Sequence, residues 1–192
     1  MKTINLILFL LLASIAQAQP MRLADQPVQT QQQVEQPKAN VNWMTIEEAY
    51  KRTQQEPRKI FIDMYTDWCG WCKRMDASTF SHPVIAEILN TKFYPVKFNA
   101  ESKLPVTLGD KTYLNENPQG RTTHQLAINM MDGRLSYPTT VYLLENFEKL
   151  TIIPGYKGPK EMEQILTFLY TNAWNNNQTF DQFVQTFNGK IQ

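Results

Sequence analysis

Cys69 and Cys72 stand three positions apart in Trp68-Cys69-Gly70-Trp71-Cys72-Lys73, and no other cysteine occurs among the 192 residues. A bridge closing so short a loop removes little entropy from the unfolded chain, so no disulfide framework can carry this fold. Stability has to come from an apolar core, and a composition of 42% hydrophobic residues with ten phenylalanines supplies one. The pair follows directly on Lys59-Ile60-Phe61-Ile62-Asp63-Met64-Tyr65. That run is nearly continuous in apolar residues, as a strand covered on both faces is. From Cys69 to about Phe80 the pattern is helical, which sets the first cysteine at a strand-to-helix junction.

The rest of the chain reads as an alternation around that junction. Thr45 and Glu48 fit a capping box opening a short helix to about Gln55, which Glu56-Pro57 ends. Pro83 stands at the first turn of a helix over Val84 to Asn90, and Lys92 to Phe98 is the next strand. Val106-Thr107-Leu108 and Lys111-Thr112-Tyr113 flank the turn Gly109-Asp110 as a small hairpin, and Thr123 to Met131 is helical. Thr139 to Leu144 and Lys149 to Ile153 form a second hairpin pair, and Pro159 opens a helix to about Trp174. Phe180, Phe183, Val184 and Phe187 recur at helical spacing, giving a last helix over about 179–188 that Thr179 and Gln182 can cap. Strands alternating with helices, followed by an antiparallel pair, predict an α/β fold: a central mixed β-sheet flanked by helices. A domain over 41–192 is expected, with its core over about 43–174.

Residues 1–18 read as a signal peptide. Lys2 precedes an apolar run from Ile4 to Ala16, and Ala16-Gln17-Ala18 matches a small-residue cleavage site, with cutting expected after Ala18. The run is shorter than the roughly 20 residues of a spanning helix, although an uncleaved anchor is the alternative. Residues 19–40 hold seven Gln and three Pro and read as a flexible linker. Export, and a bacterial periplasm as the destination, is the expectation. A net charge of +1 without any Lys/Arg run gives no nucleic-acid footprint.

Three chemistries use a C-x-x-C pair. A c-type haem site needs histidine next, and Lys73 occupies that position. Structural zinc needs four ligands. Only His82 and His124 remain as soft ligands, and each lies at a helix start where an exposed or capping role is the simpler reading. Redox chemistry fits the local physics. A cysteine at a helix N-terminus meets unpaired backbone N–H groups and nearby cations, here Lys73 and Arg74, and both favour the thiolate. Cys72, one turn further in, is placed to resolve a mixed disulfide formed at Cys69.

The order of elements around this motif resembles the thioredoxin superfamily, in particular its exported members with a CGWC-type centre, over about Trp43 to Trp174. The resemblance implies a thioredoxin-like fold and a redox-active Cys69–Cys72 disulfide, with Cys69 the nucleophile and Cys72 the resolving thiol. Asp63, six residues before Cys69, matches the family's buried proton acceptor; a surface-facing strand residue is the other reading. Lys97 in Lys97-Phe98-Asn99 matches that acid's neighbour, or is solvent-exposed. Tyr137-Pro138-Thr139 matches the cis-proline loop, and Gly155 a later turn bordering the substrate groove. Trp68, Gly70, Trp71, Tyr137, Pro138 and Gly155 are therefore the expected substrate-binding residues, with core packing the alternative for Trp68. Trp71 departs from the proline of thioredoxin itself. The 41 positions from Lys97 to Pro138 imply an enlarged insertion, which either shapes a groove or covers a sheet edge.

The expected activity is that of a thiol–disulfide oxidoreductase, a reductase or general exchanger rather than a dedicated oxidase, acting on thiols and disulfides of exported proteins. It needs no metal or organic cofactor, since the cysteine pair is the redox group, and a membrane thiol–disulfide electron transporter is the implied electron source. The alternative is a non-catalytic thioredoxin-like binding module or chaperone-like adaptor for an exported client.

Overall fold

A computed structural model describes residues 39–192, and the expected signal peptide and most of the linker lie outside them. The described chain begins already bonded to the domain: Ala39 N–H donates to Ser81 O (3.0 Å), and Asn40 O accepts from Asn90 Nδ2 (3.0 Å).

Six helices and six strands follow: α1 (Ile46–Thr53), β1 (Lys59–Tyr65), α2 (Gly70–Met75), α3 (Pro83–Lys92), β2 (Phe93–Asn99), β3 (Val106–Leu108), β4 (Lys111–Tyr113), α4 (Gln125–Met130), β5 (Thr139–Leu143), β6 (Lys149–Pro154), α5 (Pro159–Tyr170) and α6 (Phe180–Thr186). The sheet has the order β2-β1-β5-β6, with β1 parallel to β2 and the other pairs antiparallel. It is the mixed sheet the alternation predicts. Pro95 has no N–H to give a ladder, and it sits on an edge strand, where that donor is dispensable.

β1 is central and nearly all buried, and its alternate side chains feed two cores. Ile60, Ile62 and Met64 pack with α1, with Val96 of β2 and with Leu126, Ala127 and Met130 of α4. On the opposite face Phe61 packs with Tyr142, Met75 of α2, Leu89 of α3 and Leu166 of α5. Each such fully buried side chain is worth about 1.5–3 kcal/mol over its exposed state, so both layers are needed to hold β1 in place. Asp63 alternates with Phe61, and the pleat therefore points it to the α2 face.

Several ends differ from the sequence reading. The helix after the cysteines runs to Phe80, but its last turn, Asp76–Phe80, is π-helical. Thr79 is buried there and its hydroxyl donates to Lys157 O (2.7 Å). At α1 only half of the expected capping box forms: Thr45 Oγ1 accepts from Glu48 N–H (3.2 Å), while the Glu48 carboxylate pairs with Arg52 one turn on. Both halves form at α6, between Thr179 and Gln182. α5 stops at Tyr170 because Asn172 takes a left-handed φ of 55°, after which a 3₁₀ turn spans Ala173–Asn176.

The insertion packs against one face of the sheet. α4 supplies buried side chains to one sheet face, and Val106 of β3 joins the same core. In the β3–β4 turn Gly109 has φ +59° with Tyr50 Oη close by, and a Cβ built there would lie 3.1 Å from that oxygen. Its loops also reach the cysteine motif, where Glu101 and Arg121 meet Trp68.

Candidate active site

β1 delivers the chain to the motif. Cys69 N–H bonds Thr66 O (3.1 Å), closing the turn that ends the strand, and Cys69 is the N-cap of α2. Its Sγ accepts from Cys72 N–H (3.0 Å), one of the donors that the first helical turn leaves free. Cys69 and Cys72 are disulfide-bonded. Both are almost hidden, at 4% and 2% exposure, so Cys69 is scarcely more open than Cys72.

Aromatic residues form a closed collar around the pair. Trp68 and Trp71 are 56% and 55% exposed, so neither is core packing. The Trp68 ring meets Tyr137 edge-on (6.0 Å between centroids), and the Tyr137–Pro138 peptide is cis. Pro138 O accepts from Gly155 N–H (2.8 Å), and Gly155, at φ +85°, adopts the left-handed conformation glycine accommodates. Tyr156, the next residue, lies against Trp71 (5.5 Å). The expected groove residues Trp68, Trp71, Tyr137, Pro138 and Gly155 are thus linked in one ring, and Gly70 opens α2 inside it. A Cβ on Gly70 would meet nothing within 4 Å.

Beneath the helix lies a buried charge cluster. Asp63 is 1% exposed, which settles its orientation against the surface-facing reading. It is paired in register with Lys97 on β2, and Lys97 Nζ donates to Asp63 Oδ2 (3.1 Å), so Lys97 is its partner. Among the described residues Asp63 Oδ1 has no hydrogen-bond partner. Burial raises the Asp63 carboxyl from its ordinary 3.8 to about 6; Lys97 opposes this and Asp76 adds to it. Lys97 also bonds Asp76, the C-cap of α2, and its ammonium lies 5.1 Å from the ring centres of both Trp43 and Tyr65. Burial alone would lower the Lys97 pKa, but the two carboxylates outweigh it and hold the ammonium above its ordinary value. A carboxyl that titrates near neutrality under the disulfide-bearing helix is equipment that thiol chemistry can use.

Asp76 is expected to tune that base. In Asp76→Asn, Lys97 serves one carboxylate instead of two, and a charge that raises Asp63 is gone. The Asp63 midpoint should fall below about 6, read by carbon-13 NMR of labelled aspartates between about pH 4 and 8. An unchanged or higher midpoint contradicts the shared-lysine arrangement.

Sequence reasoning missed Asp76, although Cys69, Cys72 and Asp76 recur at i, i+3 and i+7, a spacing that puts them on one helical face. It also missed Glu101 and Arg121, for which no local signal exists. Trp68 Nε1–H donates to Glu101 Oε1 (3.0 Å), and the Arg121 guanidinium covers the Trp68 ring (5.3 Å). His82 and His124 both cap helices: Nδ1 accepts from Val84 N–H (3.3 Å) and Leu126 N–H (3.1 Å) respectively. Among the described residues no group of three or more His, Cys, Asp or Glu is placed to hold a metal ion.

Comparison with known proteins agrees with this architecture. A thioredoxin from Thermus thermophilus superposes with a TM-score of 0.54 at 15% identity, covering 73% of this chain and 95% of that one. A thioredoxin-fold protein from Helicobacter pylori gives 0.52 at 10% identity, over 72% and 91%. At such identities the likeness is one of fold. A curated relative, an uncharacterized protein of Caenorhabditis elegans, is 29% identical over 105 residues, which are 55% of this chain; the match spans 12% of the relative's length. The thioredoxin-like family Thioredox_DsbH, described as "Protein of unknown function, DUF255", matches residues 23–188. With a thioredoxin fold, a C-x-x-C disulfide at the N-cap of α2 and a family match over most of its length, the chain belongs to the Thioredox_DsbH (DUF255) family.

Proposed function

We propose that the protein is an exported thiol–disulfide oxidoreductase that reduces or exchanges disulfides of exported proteins in the periplasm. The observation that carries this reading is the buried Asp63, with its carboxyl at about 6, beneath the helix that Cys69 caps. A buried acid left ionisable in an apolar strand is costly unless its proton is used.

In the reduced protein the Cys69 thiolate attacks a client disulfide. The new Cys69–client S–S bond forms, the client S–S bond breaks, and the departing client thiolate takes up a proton. Asp63 then accepts the proton of the Cys72 thiol. The Cys72 thiolate attacks Cys69 Sγ and expels the second client thiolate. Two electrons pass from the protein to the client, and the protein is left as the Cys69–Cys72 disulfide. A membrane thiol–disulfide electron transporter returns it to the dithiol. Favouring this chemistry, Cys69 Sγ accepts the Cys72 N–H bond, and Lys73 and Arg74 stand exposed in the next turn.

The test is catalysis and processing in one preparation. Purified protein should accelerate dithiothreitol-driven reduction of a protein disulfide, and Cys69→Ser should not. Protein recovered from its native host should sit in the periplasmic fraction with Gln19 as its first residue. No acceleration over dithiothreitol alone overturns the enzymatic reading; an intact Met1 in a cytoplasmic fraction overturns the export reading.

A further inference from the structure

We infer that Arg74 forms an anion-receptive subsite beside Cys69–Cys72, which selects clients carrying acidic side chains next to the reacting cysteine. This inference rests on the exchange reading above.

Each collar tryptophan has a guanidinium over its face, but the two differ in charge balance. On the Trp68 side, Arg121 faces Glu101 at 4.0 Å, and Glu101 also holds the Trp68 indole N–H. That side is neutralised internally. On the Trp71 side, Arg74 lies 5.2 Å from the Trp71 ring centre and 5.9 Å from that of Tyr156. Among the described residues Arg74 enters no ion pair. Asp76, two residues further on, is committed to Lys97, and Glu161 in the first turn of α5 to Lys157 at 3.2 Å. Lys73 is exposed and likewise in no ion pair, but no ring holds its ammonium.

Stacking is what makes Arg74 a site rather than a stray surface charge. Two aromatic rings lie within cation–π range of the guanidinium, so less rotamer entropy is lost when a carboxylate arrives. Trp71 lies between the two cysteines, so a client segment presenting its disulfide to Cys69 passes this guanidinium. The groove is therefore asymmetric: the guanidinium at Trp68 is paired with Glu101, beside exposed Asp67, whereas the one at Trp71 and Tyr156 is in no ion pair among the described residues. An extended client with Glu or Asp flanking its cysteine complements it.

The test compares two synthetic peptides, each with one cysteine held as a mixed disulfide with mercaptoethanol, and flanked on both sides by Glu or by Gln. The full chain is reduced, freed of reductant, and mixed with each in single turnover at low ionic strength. The Glu peptide should react about threefold faster, as one partly exposed ion pair provides, and the ratio should shrink toward one in high salt. Because a ratio is read, any change in Cys69 reactivity caused by substitution cancels. Arg74→Gln should bring the ratio to one, Arg74→Lys should keep part of it, and Arg121→Gln should leave it in place. Equal rates in the parent, or a ratio that survives Arg74→Gln, overturn the subsite. Reaction with neither peptide overturns the exchange reading itself.

Discussion

Cys72→Ser is expected to arrest the protein in covalent complexes with its clients. Cys69 keeps its N-cap position in that variant, since the Cys72 N–H that its sulfur accepts belongs to the backbone. The first exchange step therefore still runs, and a client thiol becomes joined to Cys69. The second step cannot, because serine offers no thiolate to attack Cys69 Sγ. Adducts should appear on non-reducing gels of extract from the native host, disappear with dithiothreitol, and be absent from both Cys69→Ser and the double variant. Exchange by Cys69→Ser itself should fall to the uncatalysed rate, the largest single loss expected for any substitution in the chain. A thioredoxin-like binding module predicts the opposite: Cys72→Ser would retain its partners without covalent capture.

Asp63→Asn should make the oxidised protein more stable at neutral pH while slowing its chemistry. In the unfolded chain the carboxyl ionises near 3.8, and in the fold at about 6. Below pH 3.8 it is protonated in both states and stability is at its full value. As pH rises from there through about 6, the unfolded chain releases the proton that the folded chain still holds, so stability declines. Above that window the whole difference is lost, about 3 kcal/mol at 1.36 kcal/mol per pH unit. Asparagine does not titrate, so the variant should exceed the parent by about 3 kcal/mol at pH 7, and the gap should close by about pH 4. Urea unfolding at the two pH values, with the disulfide intact, measures both. If the variant is no more stable at pH 7, the Lys97 pair outweighs burial and the carboxyl is not poised near neutrality. In the same variant the resolving step loses its proton acceptor, so mixed disulfides should persist longer than in the parent.

What could be read in advance was whatever rests on local spacing. β1 declared itself because a strand buried on both faces must be apolar throughout, and the one acid in it stood out for the same reason. The motif's place at the junction followed from the helical pattern beginning where that strand ends. Asp76 was legible in principle, two turns after Cys69 on the same helical face, but a carboxylate at a helix end has many ordinary uses. Glu101 and Arg121 were not legible at all. They reach Trp68 only through the path of a long insertion, and no local pattern encodes a contact across 33 or 53 positions. The end of α5 was missed for another reason. Apolar spacing continues to Trp174, whereas the helix is broken by a left-handed Asn172, a conformation asparagine tolerates without advertising it. Near-equal burial of the two cysteines was also not legible from the helical pattern, which places Cys72 a turn further in than Cys69.

The collar also shows how the enlarged insertion serves the site while it covers the sheet. Glu101 lies two residues past the end of β2, and Arg121 precedes α4, whose buried side chains anchor the loop to the core. Trp68 is therefore held from three sides: Tyr137 at its edge, Arg121 over its face and Glu101 at its indole N–H.

The most direct measurement is the reduction potential of Cys69–Cys72, obtained by equilibrating the protein with glutathione buffers and counting free thiols. A reversible two-electron couple near thioredoxin's value of about −270 mV is the expected result. A value near about −120 mV would keep the redox couple but make the protein a disulfide donor. No reversible couple at any glutathione ratio would contradict thiol–disulfide exchange as the function of this site.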